Sequence, residues 1–119
     1  MRILYLEDDP ANLALIQRVA QLHNDELVTV DNPEDAFGVL EHEIFDLIIT
    51  DVELGLEVMD GLDFTAALRG HGITTPIVSI TAYDFEEYSR RSAEVGTDYH
   101  IVKPISVNNL IALFDEFRQ

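Results

Sequence analysis

Glu7-Asp8, Asp51, Thr81 and Lys103-Pro104 are the positions in this 119-residue chain whose types and placement admit chemistry. Each follows an apolar run short enough to be a strand. Ile3-Leu4-Tyr5-Leu6 leads into Glu7-Asp8-Asp9, Leu47-Ile48-Ile49 into Asp51, Ile77-Val78-Ser79-Ile80 into Thr81, and Tyr99 to Val102 into Lys103. If those strands lie parallel and side by side, their C-terminal ends open on one crevice, the place where ligands bind in open α/β sheets. Glu7, Asp8 and Asp51 gathered there would repel one another, so the site must raise a pKa or bind a cation, and an all-oxygen donor set suits Mg²⁺. Three acids against Lys103 and a divalent ion leave the site neutral. A phosphoryl group could then enter, with its charge shared by metal and lysine. Asp51 is the nucleophile in this reading and forms an aspartyl-phosphate, while Thr81 and Lys103 supply positioning and charge stabilisation.

The elements that must carry these residues alternate along the chain. Arg2 to Glu7 reads as a strand, and Asp9 caps a helix that Pro10 opens and that runs to about His23 with Leu15, Ile16, Val19 and Leu22 on its core stripe. Leu13 lies off that stripe and is a candidate for a docking face. Glu26 to Val30 is the second strand, and Asn32-Pro33 opens a helix carrying Ala36, Phe37, Val39 and Leu40. The third strand ends at Asp51. A loop follows, in which Met59-Asp60-Gly61 is a helix-start turn with Asp60 as cap, and then a helix with Leu62, Phe64, Ala67 and Leu68 that Gly70 and Gly72 stop. Pro76 to Thr81 is the fourth strand. The helix from about Phe85 to Val95 is poorly apolar, with Phe85, Tyr88 and Val95 on one face beside Ser92, and should dock loosely. Tyr99 to Val102 is the fifth strand. Ser106 caps a last helix with Val107, Leu110, Ile111, Phe114 and Phe117. Five βα units joined by right-handed crossovers give an α/β fold, a single doubly wound five-stranded parallel sheet of flavodoxin-like order 2-1-3-4-5.

Composition narrows the function. The length fits one domain, residues 1–119. Seven basic against 23 acidic residues give a formal charge of −16, which repels nucleic acid and anionic membrane and favours cationic partners or a metal. With no cysteine there is neither a disulfide framework nor a thiol nucleophile, in keeping with a reducing, cytoplasmic setting. The N-terminus shows no signal-peptide pattern, and no apolar stretch is long enough to span a membrane.

The set Glu7-Asp8, Asp51, Met59-Asp60-Gly61, Thr81 and Lys103-Pro104 resembles the signature of the receiver domain of two-component response regulators, and the resemblance covers the whole chain. It implies that Asp51 is the phospho-accepting aspartate, that Glu7 and Asp8 are the acidic pair with Asp8 a direct Mg²⁺ ligand, and that the backbone carbonyl of Glu53 is the third protein ligand. It implies that Thr81 and Lys103 contact the phosphoryl group and favours a cis Lys103-Pro104 bond. The implied donor is a histidine kinase or histidine phosphotransferase. The implied activity is self-catalysed phosphoryl transfer and autodephosphorylation, with no classical substrate turnover. The chain stops after the fifth helix, so the signal is expected to leave through a downstream protein partner or a missing output domain.

Two features depart from the family pattern. The segment Glu53 to Val58 is about two residues longer than usual and lacks proline, which puts the placement of Glu53 in question. His100 stands where the family commonly has a tyrosine or phenylalanine that reorients on activation. Histidine is less common there, but receivers of hybrid histidine kinases and some stand-alone ones tolerate it, so a switch role competes with a surface-strand role. Three other readings compete with the phospho-accepting one. A receiver serving only as a binding module should lack an acceptor, acid or lysine, and none is lacking. A flavin binder needs an anion nest where Glu7-Asp8-Asp9 stand. An aspartate-nucleophile phosphatase would use Glu53 as its general acid. In the phospho-accepting reading, Thr81 is drawn to the new phosphoryl group, the following loop moves inward, and His100 turns.

Overall fold

The computed structural model describes residues 1–54 and 59–118. The elements alternate as β1 (Arg2–Leu6), α1 (Pro10–Leu22), β2 (Glu26–Val30), α2 (Pro33–Leu40), β3 (Leu47–Asp51), α3 (Gly61–Gly70), β4 (Ile77–Thr81), α4 (Glu86–Val95), β5 (Tyr99–Val102) and α5 (Val107–Phe117). All strands are parallel, in the order β2-β1-β3-β4-β5. The fold expected from the sequence is the one observed. The longer loop noted after Asp51 falls largely on residues 55–58, which lie outside the described residues.

The apolar strand runs are continuous because the sheet is covered on both faces. Within each run the side chains still alternate. Ile3, Tyr5, Leu47, Ile49, Val78 and Ile80 face Ile16 and Val19 of α1 and Leu110, Leu113 and Phe114 of α5. Leu4, Leu6, Ile48 and Ile77 face the other way, onto Ala36 of α2 and Phe64 and Leu68 of α3. β3 is buried over its full length, whereas β2 and β5 at the sheet edges are partly exposed. The central strand therefore delivers Asp51 from the driest part of the molecule.

The helix starts follow local chemistry. The side chains of Asp9, Asn32, Asp60 and Ser106 accept hydrogen bonds from the first-turn amides of α1, α2, α3 and α5. At α3 the Asp63 carboxylate also accepts from the Asp60 amide, which completes a capping box. Three apolar positions differ from the expected stripes. Leu22 is 64% exposed and Val107 43% exposed, because they are the last residue of α1 and the first of α5 and project past the sheet. Leu13 is partly buried against the α1/α5 core and is no free docking leucine.

α4 corrects the expectation of loose apolar docking. Phe85 sits at its N-cap position and is exposed, and the one buried residue of the helix is Ser92. Polar ties hold the helix instead. Arg91 donates to both carboxylate oxygens of Asp60, at 3.0 and 3.3 Å, and to Asp63 at 3.3 Å. At the other end the Arg69 guanidinium of α3 donates to the Gly96 carbonyl from two nitrogens, to the carbonyls of Ile73 and Thr75, and to the Asp98 carboxylate, all at 2.8–3.1 Å. A rigid five-donor fork is used in full, which lysine cannot reproduce. Arg69→Ala leaves those carbonyls without their donor and should cost about 2–3 kcal/mol. Arg69→Lys should recover less than half of that. Urea unfolding checks both, and an Arg69→Ala protein within about 0.5 kcal/mol of wild type would show the fork to be dispensable.

Candidate functional site

The parallel register brings the expected residues to one edge of the sheet. Asp51 pairs with Ile80, and Thr81, the next residue of β4, pairs with Val102 next to Lys103. Asp51 is 4% exposed. Its Oδ1 stands 3.2 Å from the Lys103 ammonium, and no hydrogen-bond donor among the described residues is aligned on it. The Lys103-Pro104 bond is cis, as the resemblance favoured. Burial pushes the Asp51 carboxyl up to about 7, the negative charge of Glu7 adds to this, Lys103 opposes it, and Glu53 adds a smaller push.

Glu7 is buried and already engaged. Its Oε2 accepts the Tyr5 hydroxyl at 3.2 Å and its Oε1 the Asp9 amide at 3.0 Å. Tyr5 is a site residue that the sequence reading passed over as core. The signal was there: residues two apart on a strand share a face, so a tyrosine at that offset from a buried acid can meet it. Burial, and then Glu7, push the phenol up, which keeps it a hydrogen-bond donor. Asp8 is exposed and shares with Glu7 a recess of about 420 Å³ that Asp31 and Asp35 also line.

Thr81 is fully buried, and its hydroxyl is engaged by Glu53. It donates to Glu53 Oε1 at 2.8 Å, and the Ala82 amide donates to the same oxygen at 2.7 Å. Oε2 of Glu53 is buried with no hydrogen-bond donor among the described residues. His100 lies on β5. Its Nδ1 is 2.8 Å from Ser79 Oγ, which is 3.3 Å from Ser92 Oγ, so a polar chain links β5 through β4 to α4. Burial lowers the His100 pKa, and the charges of Glu53 and Asp84 partly oppose this. A surface-strand histidine does not describe this environment.

Among the described residues no three acidic or histidine side chains form a ready-made metal cage. The donors nonetheless suit a hard cation. Asp51 Oδ1 is a buried carboxylate oxygen with no hydrogen-bond donor among the described residues, Glu7, whose charge acts on it, is buried too, and Mg²⁺ binds through one or two carboxylates while keeping several waters.

A buried aspartate at the end of the central strand, paired with the lysine that follows β5 and accompanied by a second buried acid, forms a charged site at the C-terminal edge of a doubly wound sheet. The response regulator receiver domain model matches residues 3–115, and the chain belongs to that family. The sensor histidine kinase GacS of Pseudomonas protegens is 36% identical over 92% of this chain, and the nisin biosynthesis regulatory protein NisR of Lactococcus lactis is 30% identical over 93%. The chain spans 12% of the length of GacS and 47% of NisR. The beryllofluoride-activated receiver domain of Klebsiella pneumoniae RstA superposes with a TM-score of 0.88 at 29% identity, covering 100% of both chains. The chain is thus a receiver domain of two-component signalling. Among the described residues no helix is long and apolar enough to cross a membrane.

Proposed function

We propose that Asp51 accepts a phosphoryl group from the phosphohistidine of a histidine kinase or histidine phosphotransferase and passes the change to a partner or an attached output domain. In the transfer a carboxylate oxygen of Asp51 forms the new O–P bond as the donor's N–P bond breaks, and the imidazole leaves with the electron pair and takes up a proton. Hydrolysis later adds water across the acyl phosphate and releases inorganic phosphate. The observation that carries this reading is the Asp51 carboxylate: buried, with Oδ1 3.2 Å from the Lys103 ammonium and no hydrogen-bond donor aligned on it among the described residues.

Each side chain has a part. Lys103 holds the Asp51 oxygen before transfer and a phosphoryl oxygen after it. Thr81 donates its hydroxyl to the phosphoryl group. Glu7, held by Tyr5 and the Asp9 amide, is fixed in place, and with Asp8, Asp51 and the Glu53 carbonyl it would hold Mg²⁺. Bound there, Mg²⁺ would supply positive charge that favours the ionised form of Asp51 and offsets that of the transferred phosphoryl group. His100, tied through Ser79 to Ser92, couples the edge of the sheet to α4. The phosphatase reading loses ground, because the Glu53 carboxylate is turned onto Thr81 and Ala82.

Intact mass after incubation with acetyl phosphate and Mg²⁺ tests the proposal. Wild type should gain about 80 Da, the mass of one phosphoryl group, and Asp51→Asn should gain nothing. An unmodified wild type, or an equal gain in Asp51→Asn, would overturn the assignment.

A further inference from the structure

Thr81 Oγ1 and the Ala82 amide are two donors at the C-terminal end of β4, next to the strand that ends in Asp51. Both are taken by one oxygen of Glu53, at 2.8 and 2.7 Å, well-formed hydrogen bonds by length. The other oxygen is buried without a donor among the described residues, and the Lys103 ammonium lies against Asp51. A carboxylate held this way is only half satisfied, and its charge adds to the field that raises the Asp51 pKa. With Glu53 in place the crevice carries an acid beyond Glu7, Asp8 and Asp51. An arriving phosphoryl group brings still more negative charge and needs the same hydroxyl and amide.

We propose that the Glu53 carboxylate is an internal stand-in for the phosphoryl group, holding Thr81 and Ala82 in the unphosphorylated protein and competing for them with phosphorylated Asp51. This rests on Asp51 being the acceptor. Glu53 is a positioning residue that sets how readily the site accepts a phosphoryl group. Phosphorylation exchanges one anion for another on the same two donors, and the expelled carboxylate returns to solvent. The loop after β4 is therefore held by an anion in both states, and what changes on phosphorylation is which residue at the end of β3 supplies it, Glu53 or Asp51. A protein whose site is mostly held by Glu53 shows an affinity for an external phosphoryl mimic reduced by the fraction that is free.

Two measurements on the full chain test this. In protein never exposed to a phosphodonor, Glu53→Ala and Glu53→Gln should move the Ala82 amide proton upfield from its wild-type position, because its charged acceptor is gone. In saturating Mg²⁺ both variants should bind beryllofluoride about tenfold more tightly than wild type, the factor expected if about nine molecules in ten hold Glu53 inward. Glu53→Asp separates competition from simple charge, since it keeps the carboxylate but shortens its reach by one methylene. It should bind beryllofluoride more tightly than wild type does. An unmoved Ala82 amide overturns the stand-in. A moved amide with unchanged or weaker beryllofluoride affinity overturns the competition, as does a Glu53→Asp protein that binds no better than wild type. A wild type that takes up no beryllofluoride overturns the assignment of Asp51 as acceptor, and the competition with it, while the Ala82 shift still reports whether Glu53 holds the donors.

Discussion

Gly61→Ala should destabilise the domain by about 3 kcal/mol, the upper part of the range for forcing added volume into a packed interior, and should sharply slow phosphorylation of Asp51. A Cβ at Gly61 would stand 2.1 Å from the Asp51 carbonyl oxygen and 2.9 Å from both the Asp51 carbonyl carbon and the Val52 Cα. All three are backbone atoms, so no side chain can turn aside to make room. The close approach is fixed from both directions. The Gly61 amide donates to the Val52 carbonyl at 2.9 Å, and the capping box at Asp60 and Asp63 fixes where α3 begins. An added methyl must therefore push α3 away from the end of β3 or displace the acceptor itself. Urea unfolding reads the first effect and the rate of mass gain with acetyl phosphate reads the second. A Gly61→Ala protein within about 0.5 kcal/mol of wild type and phosphorylated at the same rate would show that this junction yields easily.

Gly61 also marks where sequence reading reached its limit. Met59-Asp60-Gly61 was legible as a helix start because the Asp60 cap is local chemistry, and the same is true of Asp9-Pro10, Asn32-Pro33 and Ser106. The strand order was legible because five short apolar runs alternating with helical stripes leave few topologies open. The meeting of Asp51 with Lys103 followed from that order, since both sit at strand ends. That Gly61 is needed because a backbone passes within van der Waals range of it is a tertiary fact with no local signature. The same holds for the ties between α3 and α4, where Arg69 reaches Gly96 and Arg91 reaches Asp60 across 27 and 31 residues. Sequence showed that α4 lacked apolar anchors, and structure showed that arginines supply the attachment instead. At Glu53 the resemblance drew attention to the backbone carbonyl, whereas the side chain makes the distinctive contacts, with residues 28 and 29 positions away.

The second large effect is a gain. In metal-free buffer at pH 8, Asp51→Asn should be more stable than wild type by about 1–2 kcal/mol, several degrees in Tm for a domain of this size. The Asp51 carboxyl is raised from an ordinary value near 3.8 to about 7. Below about pH 4 both the folded and the unfolded carboxyl hold their proton, and the group adds nothing to the pH dependence. Between about pH 4 and pH 7 the unfolded chain gives up the proton while the folded protein keeps it, so wild-type stability falls as the pH rises through that window. Above about pH 7 the buried carboxylate is charged in both states and the loss is complete. Asparagine at position 51 has the same shape and no charge to bury, so the gap between the two proteins should open from pH 4 to pH 7 and then level off. Acids away from the site titrate in both proteins alike and cancel in the difference. A rise of that size would correspond to about 4 kcal/mol at most, and relaxation of the site around the buried charge brings it to the smaller figure. Adding Mg²⁺ should reverse the order, because a cation that binds the native acids stabilises wild type by mass action and finds one ligand fewer in the variant. Thermal unfolding of both proteins from pH 4 to pH 8, with and without Mg²⁺, reads every part of this. A difference that stays flat across that range, or a variant less stable than wild type at pH 8 without metal, would show that Asp51 carries no excess charge burden in the native site.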